Sequence, residues 1–137
     1  MSPALFPITI YHNPKCGTSR NTLAMIEAAG YAPEVVEYLK VGWTKPQLEA
    51  LLKSTGISAR ELMREKGTPA VELGLTAASA TDDQIIDAMV AHPILVNRPV
   101  VVTPLGARLC RPSERVLDLL ANKPDSFTKE DGEVVKL

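Results

Sequence analysis

Hydrophobic and polar positions follow a strand, helix, strand order at the start of the chain. Apolar residues from Phe6 to Tyr11 alternate loosely and are rich in β-formers, which predicts a strand. Apolar residues then recur at helical spacing from Thr18 to Ala29, and Gly30 suits the C-terminal cap of that helix. Val35–Leu39 is a second strand-like run. This order predicts a βαβ unit with two parallel strands and a right-handed crossover.

The middle of the chain carries only helix signals. At three places a Thr or Ser stands three positions before a Gln or Glu, which is the pattern of a capping box: Thr44 with Gln47, Ser58 with Glu61 and Thr81 with Gln84. Thr68-Pro69 predicts a further short helix, because proline tolerates the first helical position. We interpret residues 41–92 as a helical insertion.

Strand patterns return in the last part of the chain. Pro99–Thr103 and Ala107–Cys110 predict two strands joined by a turn, and Pro112 opens a final helix. The tail after Lys123 is polar, with a short turn predicted at residues 128–131. The order βαβ, helices, ββα is that of an α/β, thioredoxin-like fold with an inserted helical subdomain.

Composition and charge narrow the classes of function. The chain has 137 residues, 45% hydrophobic and 23% charged, which fits a single globular domain over residues 1–137. A net charge of −1 provides no general attraction to nucleic acid or anionic lipid. The first residues have no basic region followed by an apolar run, and no apolar stretch is long enough to cross a bilayer. We expect a cytoplasmic monomer with no nucleic-acid or membrane partner.

Cys16 is the leading candidate for a catalytic residue. It lies in Asn13–Arg20, directly between a predicted strand and a predicted helix. A helix N-terminus offers unpaired N–H groups and partial positive charge, which lower a thiol pKa from ~8.5 to roughly 3.5–7.5. Such a loop suits a reactive thiolate and an oxyanion held against it. His12 would stabilise the thiolate further if its side chain turns inward.

Ser19 stands where a dithiol oxidoreductase carries its second cysteine, so this loop cannot close its own disulfide. Electrons must come from Cys110 or from an external thiol. Cys110 reads more simply as a core residue late on a strand. Two cysteines and two histidines, dispersed along the chain, form no metal-ligand cluster, so we expect no metal.

Arginines at element boundaries are candidate anion ligands, because a guanidinium offers a planar fork of donors that suits a tetrahedral oxyanion. Arg98 and Arg111 flank the second half of the predicted sheet, at the end where Cys16 should lie, and Arg64 is a third candidate. Spacing alone leaves three competitors open: Arg60, Arg108 and Arg115.

Three separated motifs, in the same order along the chain, resemble the glutaredoxin-linked arsenate reductases of bacteria. They are His-Asn-Pro-Lys-Cys-Gly-Thr-Ser-Arg-Asn-Thr at 12–22, His-Pro-Ile-Leu-Val-Asn-Arg-Pro at 92–99, and Thr-Pro-Leu-Gly-Ala-Arg-Leu-Cys-Arg-Pro-Ser-Glu at 103–114. The resemblance extends from about Ile8 to Leu120. It implies a thioredoxin-like fold with a helical insertion and a role in arsenical resistance.

The resemblance also implies a role for each matching residue. Cys16 corresponds to the nucleophile, His12 to a residue that assists its ionisation, and Ser19 to a hydrogen-bond partner of the thiolate. The oxyanion ligands correspond to Arg64, Arg98 and Arg111, and Pro99 corresponds to the cis-proline of thioredoxin-like proteins. Cys16 would form a thiol–arsenate adduct, with glutathione as co-substrate and glutaredoxin as the partner that completes the reduction. No bound cofactor is implied.

The sequence leaves two alternative functions open. The first is a redox-sensing transcription regulator of the same fold that binds RNA polymerase; such proteins usually carry Cys-x-x-Cys, and Ser19 argues against it. The second is an inactive or altered homologue that binds glutathione only, against which the intact His12, Cys16 and arginine set argues. Consumption of arsenate that depends on Cys16 would separate the enzyme from both.

Overall fold

A computed structural model describes residues 6–123, 126–129, 132 and 134–136. Within it the chain forms two packing units. The first contains residues 1–37 and 98–137, and the second contains residues 38–97. The predicted helical insertion, residues 41–92, lies inside the second unit.

A four-stranded mixed sheet organises the first unit. Its elements are β1 (Thr9–His12), α1 (Gly17–Ala28), β2 (Glu34–Glu37), β3 (Val100–Thr103), β4 (Gly106–Leu109) and a 3-10 helix (Ser113–Leu119). The strand order is β2-β1-β3-β4; β1 and β2 are parallel, whereas β3 is antiparallel to both β1 and β4. The predicted βαβ unit and the following hairpin are therefore confirmed, and the fold is thioredoxin-like.

The core of this unit lies between the sheet and the two helices. Ile10 on β1 and Val101 on β3 are directly paired and fully buried. Met25 and Ile26 of α1 and Val116 of the 3-10 helix are buried in the same cluster. Each such side chain contributes about 1.5–3 kcal/mol when it leaves water. This packing fixes the start of α1 relative to the ends of the strands.

Two boundaries of the sheet differ from the prediction. β1 begins at Thr9 rather than Phe6, since Pro7 has no N–H to donate to a ladder. β2 ends at Glu37, and the following Tyr38–Val41 forms a short helix, α2, in the second unit.

The tail contains structure that the sequence pattern did not reveal. Ser126–Thr128 (β5) and Val134–Lys136 (β6) form a two-stranded antiparallel sheet. Of the turn predicted at 128–131, residues 130 and 131 lie outside the described residues; the Gly132 N–H donates to the Lys129 carbonyl at 3.0 Å.

The second unit is helical, as predicted. After α2 come α3 (Lys45–Thr55), α4 (Ala59–Leu62), α5 (Asp82–Ala91) and a 3-10 turn at Pro93–Leu95. Capping boxes with Thr44, Ser58 and Thr81 open α3, α4 and α5, which confirms all three predicted starts.

The short helix predicted after Thr68-Pro69 is wrong. Residues 69–79 form turns and bends instead, and Gly74 adopts φ +74°, a conformation that ends a helical path. The Arg60 guanidinium holds the end of this segment by donating to the carbonyls of Ala77 and Ala80, each at 3.0 Å. Arg60 thus ties the end of this segment to α4.

Candidate active site

Cys16 is the N-cap residue of α1. Its backbone is extended (φ −98°, ψ 121°), and its carbonyl accepts the first helical hydrogen bond from the Arg20 N–H at 3.0 Å. Its own N–H donates to the Asn13 carbonyl at 3.0 Å, which closes a tight turn after β1. The side chain is half-buried. The sulfur thus lies at the positive end of a 12-residue helix while remaining within reach of a ligand.

Two predicted arginines converge on this sulfur. Arg111 Nη1 lies 3.7 Å from Cys16 Sγ and also donates to the Arg98 carbonyl at 2.9 Å. The Arg98 guanidinium also lowers the pKa of Cys16. The peptide bonds between Arg98 and Pro99 and between Arg111 and Pro112 are both cis.

Strand register explains why these arginines meet. Val100, the first residue of β3, pairs with Tyr11 near the end of β1 and with Leu109 at the end of β4. Arg98 precedes β3 and Arg111 follows β4, so both lie at the edge of the sheet where β1 ends. The loop that carries Cys16 leaves from the same edge.

The pKa of Cys16 is lowered. Burial works to raise this pKa, but the backbone N–H of Ser19 and the guanidinium groups of Arg98 and Arg111 together outweigh it. The Ser19 N–H favours the thiolate from its position in the first turn, although the sulfur accepts no complete cap hydrogen bond. The site therefore favours the thiolate form of Cys16 beside two cations, an arrangement suited to nucleophilic attack on an anion.

His12 and Ser19 form a buried pair beside the thiol. His12 Nδ1 lies 2.6 Å from Ser19 Oγ, and this oxygen also accepts the Asn13 N–H at 3.1 Å. Burial lowers the pKa of His12; Glu37 opposes this effect and Arg20 adds to it. Burial thus favours the neutral form of His12, whose Nδ1 contacts the loop at the Ser19 hydroxyl.

Cys110 has the opposite environment. It is completely buried in the core, and its sulfur lies 3.7 Å from the Arg108 carbonyl. Burial raises its pKa to about 12. A thiol in this state is a weak nucleophile near neutral pH.

The remaining arginines have other neighbours. Arg64, in the second unit, donates from Nε to the Lys66 carbonyl at 3.1 Å and from Nη1 to Asn97 Oδ1 at 3.3 Å. Among the competitors, Arg60 binds backbone carbonyls and Arg108 pairs with Asp118 at 3.7 Å. Arg115 is exposed.

Sequence reasoning did not single out Asn13, which the structure places at the centre of the loop. Asn13 is 3% exposed and makes hydrogen bonds through its backbone N–H, its carbonyl and its side-chain oxygen. The sequence did contain one indication of this role, because an asparagine directly before a proline favours a turn.

The described residues contain no group of three or more His, Cys, Asp or Glu side chains that could hold a metal ion. Across the same part of the chain, every helix is too short or too polar to span a bilayer.

Comparisons with known proteins identify the family to which the chain is similar. The sequence model of the ArsC family matches residues 11–119. The chain is 60% identical over 129 residues to the arsenate reductase ArsI2 of Synechocystis sp., covering 93% of this chain and 92% of that protein. It is 59% identical over 132 residues to an arsenate reductase of Rhizobium meliloti, with coverage of 93% and 92%. A solved arsenate reductase from Vibrio cholerae superposes with a TM-score of 0.80 at 41% identity, covering 84% of this chain and 98% of that one.

Proposed function

Because this chain belongs to the ArsC family and is an arsenate reductase, we propose that it reduces arsenate through a Cys16 thiol–arsenate adduct, with glutathione and glutaredoxin as electron donors. The observation that carries the proposal is the placement of the Cys16 sulfur at a helix N-terminus with Arg111 Nη1 at 3.7 Å. This geometry supplies a nucleophile and an anion-binding cation at one place.

In the first step, the Cys16 thiolate attacks arsenic(V). An As–S bond forms, an As–O bond breaks, and the oxygen leaves as water after taking up protons. Arg98 and Arg111 bind the arsenate oxygens and stabilise the negative charge that develops on them. Groups of this kind typically contribute about 3–4 kcal/mol each to such a step.

The following steps need two external thiols. Glutathione displaces a second oxygen as water and becomes bound to the same arsenic. A glutaredoxin thiolate then attacks the glutathione sulfur, forming a mixed disulfide, and the electron pair of the broken As–S bond remains on arsenic. Arsenic(III) on Cys16 is hydrolysed to arsenite, which frees the thiol.

The nature of residue 19 supports an external donor. Ser19 cannot form a disulfide with Cys16, and its hydroxyl is bonded within the loop to His12 and Asn13. The other thiol, Cys110, is fully buried with a raised pKa. Neither position offers a second reactive thiol within the chain.

We assign supporting roles to His12, Ser19 and Arg64. Neutral His12 and the Ser19 hydroxyl fix the loop around the thiolate. For Arg64 the family resemblance implies a role as an arsenate ligand. Its guanidinium donates to the Lys66 carbonyl and to Asn97 Oδ1.

The test is a coupled assay that follows NADPH consumption with arsenate, glutathione, glutathione reductase and glutaredoxin. We expect turnover that stops when glutathione or glutaredoxin is omitted and that is abolished in Cys16→Ser. Cys110→Ser is the matched control and should retain activity. Turnover without glutaredoxin, or turnover in Cys16→Ser, would overturn the proposed mechanism.

The same proposal includes a cytoplasmic location and a monomeric state. The cytosol supplies glutathione and keeps thiols such as Cys16 reduced. Cell fractionation tests the location, and light scattering of the purified chain tests the oligomeric state.

A further inference from the structure

Asn13 lies in the turn that presents Cys16, although the proposed mechanism assigns it no role. Its side-chain Oδ1 accepts the Lys15 N–H at 3.0 Å, its carbonyl accepts the Cys16 N–H at 3.0 Å, and its N–H donates to Ser19 Oγ at 3.1 Å. One buried residue thus bonds to both residues at the end of the turn and to the first turn of α1.

These bonds have different consequences for substitution. The two backbone bonds can form with any residue except proline at the N–H position. The bond that the Lys15 N–H donates to Asn13 Oδ1 forms an Asx turn, which needs a short side chain with an acceptor at residue 13. The side chain of Asn13 therefore contributes one specific thing, namely the orientation of the peptide units between Pro14 and Cys16.

That orientation matters because the sulfur has to meet several donors at once. Arg111 Nη1 lies 3.7 Å from Cys16 Sγ, and the Ser19 N–H and the Arg98 guanidinium also lower the pKa of this thiol. Rotation of the peptide unit between Lys15 and Cys16 would move the sulfur away from these groups. Catalysis is sensitive to such shifts, since a misplacement of ~1 Å can cost about a hundredfold in rate.

We propose that Asn13 is a positioning residue, whose Asx turn holds the Cys16 sulfur against its donors in the productive orientation. The inference rests on the proposed function for its catalytic consequence. Its structural part concerns the thiolate alone and can be measured in the absence of arsenate.

The experiment compares Asn13→Ala, Asn13→Ser and Asn122→Ala with the wild-type chain. Asn13→Ala removes the acceptor, Asn13→Ser retains a shorter one, and Asn122 is an exposed asparagine outside the loop, which serves as the matched control. The first readout is the rate of Cys16 alkylation by iodoacetamide as a function of pH. The second is kcat/KM for arsenate in the coupled assay.

We expect the alkylation profile of Asn13→Ala to move to higher pH and its kcat/KM to fall by about tenfold or more, within the range that such misplacement can cost. Asn13→Ser should restore part of the wild-type alkylation profile and part of kcat/KM. Asn122→Ala should match the wild type in both readouts. If Asn13 had a purely structural role, Asn13→Ala would lower Tm but would leave the pH profile of Cys16 alkylation in the folded variant unchanged. A folded Asn13→Ala variant with a wild-type profile and kcat/KM would overturn the proposal.

Amide hydrogen exchange on the wild-type chain tests the turn even where Asn13→Ala does not fold. Lys15 is an exposed residue whose N–H donates to Asn13 Oδ1. We expect slow exchange at Lys15, and exchange at the rate of an unprotected amide would contradict the inference. If the wild type shows no glutaredoxin-linked turnover but alkylation still responds to Asn13, the proposed function fails while the positioning role stands.

Discussion

Arg111 Nη1 lies 3.7 Å from Cys16 Sγ, although the two residues are 95 positions apart in the chain. The same nitrogen donates to the Arg98 carbonyl at 2.9 Å, which ties the end of β4 to the segment before β3. The guanidinium is therefore held in place before any substrate arrives. A donor fixed in advance stabilises developing charge without a reorganisation cost at the moment of reaction.

Replacement of Arg111 should impair both the thiolate and the reaction. In Arg111→Gln the guanidinium that lowers the Cys16 pKa is lost, so the pKa should rise and alkylation at pH 7 should slow. We expect kcat/KM for arsenate to fall by about 10²–10³, the usual cost of one such donor. Iodoacetamide kinetics and the coupled assay measure the two effects.

Arg115→Gln is the matched control for this variant, because Arg115 is an exposed arginine four positions further along the chain. It should retain the wild-type alkylation profile and activity. Equal losses of alkylation rate and of kcat/KM in the two variants would indicate a general charge effect and would contradict a specific role for Arg111.

The two thiols should differ strongly in reactivity. Cys16 has a lowered pKa at a half-buried helix N-terminus, whereas burial raises the pKa of Cys110 to about 12. Because the thiolate is the reactive form, limited iodoacetamide at pH 7 should modify Cys16 alone. Peptide mass spectrometry of the native chain measures this, and denatured chain, in which both thiols react, provides the control. Equal labelling of the two cysteines in the native chain is the result that this prediction forbids.

His12 should make stability depend on pH below neutrality. Its pKa in the folded chain is lowered from 6.5, mainly by burial, so folding favours the neutral ring. The stabilisation is fully present above pH 6.5 and is lost as the pH falls through the lower folded-state value. Urea unfolding at pH 7.5 and 5.5 should therefore show a smaller loss of unfolding free energy in His12→Asn than in the wild type.

His92→Asn is the control for this measurement, since His92 is an exposed histidine at the end of α5. Between pH 7.5 and 5.5, His92→Asn should lose as much free energy of unfolding as the wild type. A His12→Asn variant that loses as much stability as the wild type would assign the pH dependence to other groups.

The N-cap of α5 should make a measurable contribution to the free energy of unfolding. Thr81 Oγ1 accepts the Gln84 N–H at 3.2 Å, and the Thr81 N–H donates to Gln84 Oε1 at 2.9 Å. Thr81→Ala removes the first bond and should lower the free energy of unfolding by about 1 kcal/mol. Ser79→Ala, at an exposed position two residues earlier, should change it by less than about 0.5 kcal/mol. Chemical denaturation measures both, and a Thr81→Ala variant as stable as Ser79→Ala would show that this cap contributes nothing.

Local patterns in the sequence were sufficient for much of the fold. The starts of α3, α4 and α5 follow from capping boxes, in which the interacting groups are three residues apart. The parallel pairing of β1 and β2 follows from their separation by one helix. The same local logic placed Cys16 between a strand and a helix, where its reactivity could be predicted. Interactions of this range are encoded where they act, so the sequence shows them directly.

Contacts between distant segments required the tertiary structure. Arg108, Arg111 and Arg115 are close in sequence, but the antiparallel pairing of β3 with β4 directs Arg111 toward Cys16 and leaves Arg108 beside Asp118. Similarly, Arg60 on α4 donates to the Ala80 carbonyl just before α5, and β5 is paired with β6. The sequence by itself determined the position of Cys16 between a strand and a helix. Strand register, which depends on packing across the whole sheet, decided which cations reach that thiol.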